Sequence, residues 1–120
     1  MPPATELPLL QGTLDVLVLK TLSWGPRHGY AVARWIADTT GEELTVEEGA
    51  LYTALHRLEK RGWLESEWGI SDTGRRAKFY QLTPEGRDQL RSQSLRWTRY
   101  ASAVFRVLEQ SGPDLLGAEG

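Results

Sequence analysis

Residues 45–82 read TVEEGALYTALHRLEKRGWLESEWGISDTGRRAKFYQL, and their hydrophobic period changes partway along. Up to Arg61 the apolar ridge Leu51, Leu55, Leu58 recurs at i, i+4 and i+7, the spacing of one helix face. Thr45-Val46-Glu47-Glu48 matches a capping box, with Thr45 accepting from an early backbone N–H and Glu48 reaching back. Gly62 caps the far end. From Leu64 to Trp68, and again from Lys78 to Leu82, residues alternate with the period of a strand. Between them Gly69 to Ala77 is polar and basic and holds Asp72-Thr73-Gly74, which predicts a hairpin with a flexible tip.

Upstream, residues 1–8 carry three prolines and read as an extended arm. Leu9 to Leu22 is helical, with Leu10, Leu14, Leu17 and Thr21 on one stripe and Val16, Leu19 and Lys20 on another. Trp24-Gly25-Pro26 stops it. A second helix begins at Gly29 or Tyr30 and runs to Thr39, with Tyr30, Ala33 and Ala37 along one face and Val32 and Ile36 beside them. Downstream, Thr83-Pro84-Glu85 starts a last helix that runs to about Gln110. On it Leu90, Ser94, Trp97, Ala101, Val104 and Leu108 are spaced 4, 3, 4, 3, 4, a seam that one helix offers another.

Three helices, a hairpin and a long helix make a mainly α fold with a small β-hairpin wing: a winged helix-turn-helix plus a long C-terminal dimerisation helix. The expected organisation is an arm at 1–8, a DNA-binding domain at 9–82, a dimerisation helix at 83–110 and a flexible tail at 111–120.

Composition narrows the function. The 120 residues contain no Cys and two His, which excludes disulfides, thiolate nucleophiles and Cys-ligated metals. With no nucleophile–base pair and no strained serine motif, the expectation is no enzyme, no metal and no cofactor. The absence of a long apolar run and of a basic-then-apolar leader predicts a cytoplasmic protein without membrane contact. The net charge of −2 hides a gradient. Residues 1–50 hold three basic and seven acidic side chains, whereas residues 51–113 hold eleven basic and seven acidic. Such a local basic surface is what nucleic acid needs, despite a pI near 5.7.

Four stretches in order resemble the PadR family of bacterial transcriptional regulators. They are Leu10-Gln11-Gly12-Thr13-Leu14; Gly25-Pro26 with His28-Gly29-Tyr30; Gly49 to Glu59 with Arg61-Gly62; and Gly74 to Tyr80 with Leu82-Thr83 and Gly86. The resemblance covers residues 9–109 and looks like the members with a single final helix. Two positions depart from it: Ala50 stands where Thr is common and Thr53 where Pro is common. The resemblance implies a homodimeric repressor of double-stranded DNA with a pseudo-palindromic operator, relieved by an aromatic or hydrophobic ligand. The competing reading is a winged-helix protein-interaction module without specific DNA binding.

The expected DNA-binding residues are Gly49, Tyr52, Thr53, His56, Arg57 and Lys60 on the third helix, with Arg75, Arg76 and Lys78 on the wing. Gly49 lets backbone approach a groove wall. Thr53 bonds a base edge or a phosphate. Arg57 and Lys60 neutralise phosphate, or Arg57 reads guanine through both its donors. Tyr52 and His56 are either contacts or packing residues. Glu47 either answers the helix dipole or accepts from a cytosine amine. His28 is expected to be structural. The expected dimer interface is Leu10, Leu14, Leu17, Leu90, Trp97, Ala101, Val104 and Leu108. Trp97 is either an interface anchor or a platform for a planar effector, while Trp24, Trp35, Trp63 and Trp68 are expected to fill the core or an interface.

Overall fold

The computed structural model describes residues 12–111. The chain runs α1 (Thr13–Thr21), a short 3-10 turn, β1 (Arg27–His28), α2 (Gly29–Thr39), α3 (Glu48–Lys60), β2 (Leu64–Ile70), β3 (Arg76–Leu82) and α4 (Pro84–Leu108). The expected arm, Leu10 and most of the tail lie outside the described residues.

The core is built from the predicted ridges. Val18, Leu19 and Leu22 meet Val32 and Ile36 of α2, and Leu51, Leu55 and Leu58 of α3, all buried. Leu64, Tyr80 and Leu82 close it from the sheet. Leu14, Leu17 and Leu90, expected at the dimer interface, pack partly against this same core. Thr21 is fully buried because its hydroxyl donates to the Leu17 carbonyl one turn back, at 2.8 Å, which satisfies it without water.

Several expectations change. Of the face Tyr30, Ala33 and Ala37, only Ala37 is buried, with Val32 and Ile36 beside it, whereas Tyr30 is 67% exposed. The capping box does not form. Glu47 is the N-cap of α3, and no side chain caps that end. Of the four tryptophans expected to fill the core or an interface, Trp35 and Trp63 pack at the core's edge, and Trp24 and Trp68 are exposed and outside the core. The strands are each two residues longer toward the tip than alternation suggested, because Gly69 pairs with Ala77 and Ile70 with Arg76. A third strand, β1, joins the sheet in the order β1-β3-β2, with both pairings antiparallel.

Two junctions hold the wing and α4 against α3. At the end of α3, Trp63 N–H donates to the Leu58 carbonyl and Gly62 N–H to that of Glu59, while Gly62 takes φ 82. This Schellman closure turns the chain sharply into β2. The Thr83 hydroxyl donates to the Gly62 carbonyl at 2.7 Å and accepts from Gly86 N–H at 3.0 Å, so the expected N-cap of α4 forms and is tied to the α3 terminus. Contacts divide the chain into two compact units within α4, residues 1–90 and residues 91–120. In the second unit α4 continues to Leu108, exposing Leu95, Trp97, Tyr100, Val104, Phe105, Val107 and Leu108.

Candidate nucleic-acid interface

Burying Leu51, Ala54, Leu55 and Leu58 leaves the other side of α3 in solvent. Gly49, Tyr52, Thr53, His56 and Lys60 are on that exposed side. Tyr52 leans over the start of α2, and a side chain at Gly29 would come within 2.8 Å of its hydroxyl. Gly29 is therefore small because the tyrosine ring occupies the space a Cβ would need. His28 caps α2: Ala31 N–H donates to its Nδ1 at 3.2 Å, and its ring meets Phe79 edge-on. The structural reading of His28 holds.

Two of the expected phosphate contacts have partners within the protein. Arg57 forms an ion pair with Asp15 of α1. Lys78 lies 3.7 Å from Glu59, which also accepts from the Ser66 hydroxyl at 2.5 Å. Glu59 thus ties α3 to both strands of the wing. Arg75 and Arg76 are exposed at the hairpin tip, beside a tight turn in which Gly74 takes φ 81. Arg76 stacks on the indole of Trp68.

Between the wing, the start of α2 and the exposed side of α3 lies an open groove of about 1210 Å³. It gathers Tyr52, His56, Arg75, Arg76 and Lys78 from the expected set, whereas Gly49, Thr53, Arg57 and Lys60 do not line it. Further side chains reach it, Arg27, Tyr30, Arg34 and Trp68 among them, together with the carboxylates Asp38 and Asp72. A two-residue strand has no period to detect, so Arg27 gave no signal in the sequence, and Trp68 was expected to fill the core or an interface by its aromatic character. Arg34 is held by Asp38 at 2.7 Å. Among the described residues there is no cluster of metal-ligating side chains and no helix long and apolar enough to cross a membrane.

An exposed helix of this kind beside a basic β-hairpin, on a three-helix core, defines the class of winged helix-turn-helix proteins. Residues 18–92 match the model of the transcriptional regulator PadR-like family, and the chain belongs to that family. Its members are transcriptional regulators and not enzymes. A PadR family transcriptional regulator from Eggerthella lenta is 35% identical with a TM-score of 0.70, over 84% of this chain and 86% of that one. A PadR family transcription regulator from Clostridium difficile is 28% identical with a TM-score of 0.70, over 81% of this chain and 99% of that one. A transcriptional regulator of Mycobacterium tuberculosis is 33% identical over 93 residues, 78% of this chain but only 63% of that protein.

Proposed function

We propose that the chain is a homodimeric repressor that binds a pseudo-palindromic operator in double-stranded DNA. The observation that carries this is the groove in which the exposed side of α3 meets the arginines of the wing. The exposed residues Gly49, Thr53, His56 and Lys60 reach base edges and phosphates in the major groove, and Arg75 and Arg76 reach the flanking phosphates. Tyr52 presents its hydroxyl from above Gly29.

The dimer is supported by the apolar side chains that α4 exposes, Trp97, Val104 and Leu108 among them. A helix with this much apolar surface is stabilised by pairing with a second copy. Ala101 belongs to the same stretch of α4, and Leu14, Leu17 and Leu90 are proposed as further dimer contacts. In such a dimer the two α3 helices meet the DNA at a separation that the helical repeat of the duplex dictates. That separation must be about 34 Å to enter successive major grooves. A planar aromatic effector at Trp97 relieves repression if it prefers the packing that DNA does not.

The test is an equilibrium binding titration, by fluorescence anisotropy, on a duplex from upstream of the protein's own gene over a series of salt concentrations. Arg75→Ala with Arg76→Ala weakens binding to all sequences alike and flattens the salt slope by up to about two units, since each phosphate contact contributes roughly one. An unchanged slope would instead favour a protein-interaction module.

A further inference from the structure

Sheet register settles which side chains share the groove face of the wing. Trp68 is opposite Lys78 and Ile70 is opposite Arg76, so Trp68 and Arg76 are diagonal neighbours on one face. Arg27 is opposite Tyr80, with Ser66 beyond it, and shares that face. Arg76 holds its guanidinium 4.5 Å from the centroid of the Trp68 ring system. That indole is 58% exposed. It is not part of the hydrophobic core.

An arginine can be ordered in two ways, which leave different things behind. A carboxylate orders it by neutralising it and occupying its donors, as Asp38 does to Arg34. An aromatic face orders it while leaving its charge and its in-plane N–H donors available. Arg76 is ordered in the second way. Neither Arg76 nor Arg27 pairs with a carboxylate among the described residues, whereas Arg34, Arg57 and Lys78 do.

We infer that Trp68 is a positioning residue for DNA, holding Arg76 ordered but un-neutralised so that Arg76 and Arg27 together clamp the phosphates of a strand lying in the groove. This rests on the DNA-binding reading above and extends it to two residues, Trp68 and Arg27. The gain is entropic. A free arginine loses rotamer freedom when it meets a phosphate, and one already stacked loses less.

The experiment compares wild type with Trp68→Phe, Trp68→Ala, Arg76→Ala, Arg27→Ala and the Trp68→Ala/Arg76→Ala double variant in the same salt-series titration. Trp68→Ala weakens binding about 2- to 5-fold, the range for an exposed cation–π contact. Its salt slope stays at the wild-type value because the charge remains. Trp68→Phe keeps most of the affinity. Arg76→Ala and Arg27→Ala each flatten the slope by about one unit. In the Arg76→Ala background, Trp68→Ala has no further effect. Without DNA, the δ-methylene protons of Arg76 show an upfield ring-current shift by NMR that Trp68→Ala abolishes while the rest of the spectrum persists.

The inference is overturned if Trp68→Ala binds as wild type does, or if its loss adds in full to that of Arg76→Ala. An unchanged slope in Arg27→Ala overturns the two-arginine clamp. A wild type that binds no duplex removes the DNA reading itself, a result distinct from a binding wild type with an indifferent Trp68→Ala variant.

Discussion

Arg57 shows how a residue's role depends on what folding places beside it. On the sequence it is one more cation of the third helix; in the fold Asp15 holds it from α1. The pair is partly exposed, so its contribution to stability is at most about 1 kcal/mol. Asp15→Asn is therefore expected to lower stability by no more than that amount while freeing Arg57 for phosphate. The salt slope of DNA binding should steepen by about one unit. An unaltered slope in a folded Asp15→Asn variant would show that Arg57 does not reach DNA. Tyr80 carries the clearest titration. Burial pushes its hydroxyl above the ordinary value of 10.0, with smaller contributions from Glu59 and Tyr52. The unfolded chain therefore releases this proton at a lower pH than the folded one does. The stabilisation is complete below pH 10 and is lost as pH rises through the raised folded value. Urea unfolding at pH 9 and pH 11 should show a smaller loss of stability in Tyr80→Phe than in wild type.

At the scale of elements, the decisive joint is the one between α3, β2 and α4. Gly86 is buried there, and a Cβ on it would come within 2.0 Å of the Trp63 carbonyl oxygen. That atom is backbone, and it also accepts from Thr83 N–H at 3.0 Å, so it cannot yield without opening the junction. Gly86→Ala is expected to destabilise the protein by about 2–3 kcal/mol, the upper range for overpacking. Chemical denaturation measures this directly, and a loss under 0.5 kcal/mol, on the order of an ordinary surface substitution, would mean that the joint relaxes. The wing depends on a softer device. Glu59 reaches both Ser66 and Lys78, fixing the hairpin to the helix whose outer side it flanks.

For the whole molecule, the question is assembly and its regulation. The expected solution mass is twice the 13.5 kDa of the chain. Light scattering at micromolar concentration checks it, and Val104→Asp with Leu108→Asp should give a monomer that binds the operator weakly. A monomeric wild type would overturn the dimer. If the effector acts at Trp97, a planar aromatic compound quenches tryptophan fluorescence and weakens operator binding in wild type, and does neither in Trp97→Ala. Equal binding by Trp97→Ala would leave Trp97 as an interface anchor.

What the sequence determined by itself is the order and type of its main elements. The helical ridge 51, 55, 58, the two alternating runs and the Thr83-Pro84 start are local patterns, written in neighbouring residues, and local patterns survive without knowledge of the fold. Family membership was legible for the same reason, since its motifs are short and ordered. Tertiary structure decided what period alone does not encode. It made Arg27 and His28 a strand, because a two-residue strand exists only where β3 offers it a partner. It turned Trp68 outward, away from a core filled by aliphatic side chains and Tyr80. It left Glu48 without a capping role, because α3 starts at that residue rather than two residues earlier. It also sorted the cations, setting Arg57 and Lys78 against carboxylates and Arg76 against a ring. Ion pairing and stacking join residues distant in the chain, and only packing brings them within reach of one another.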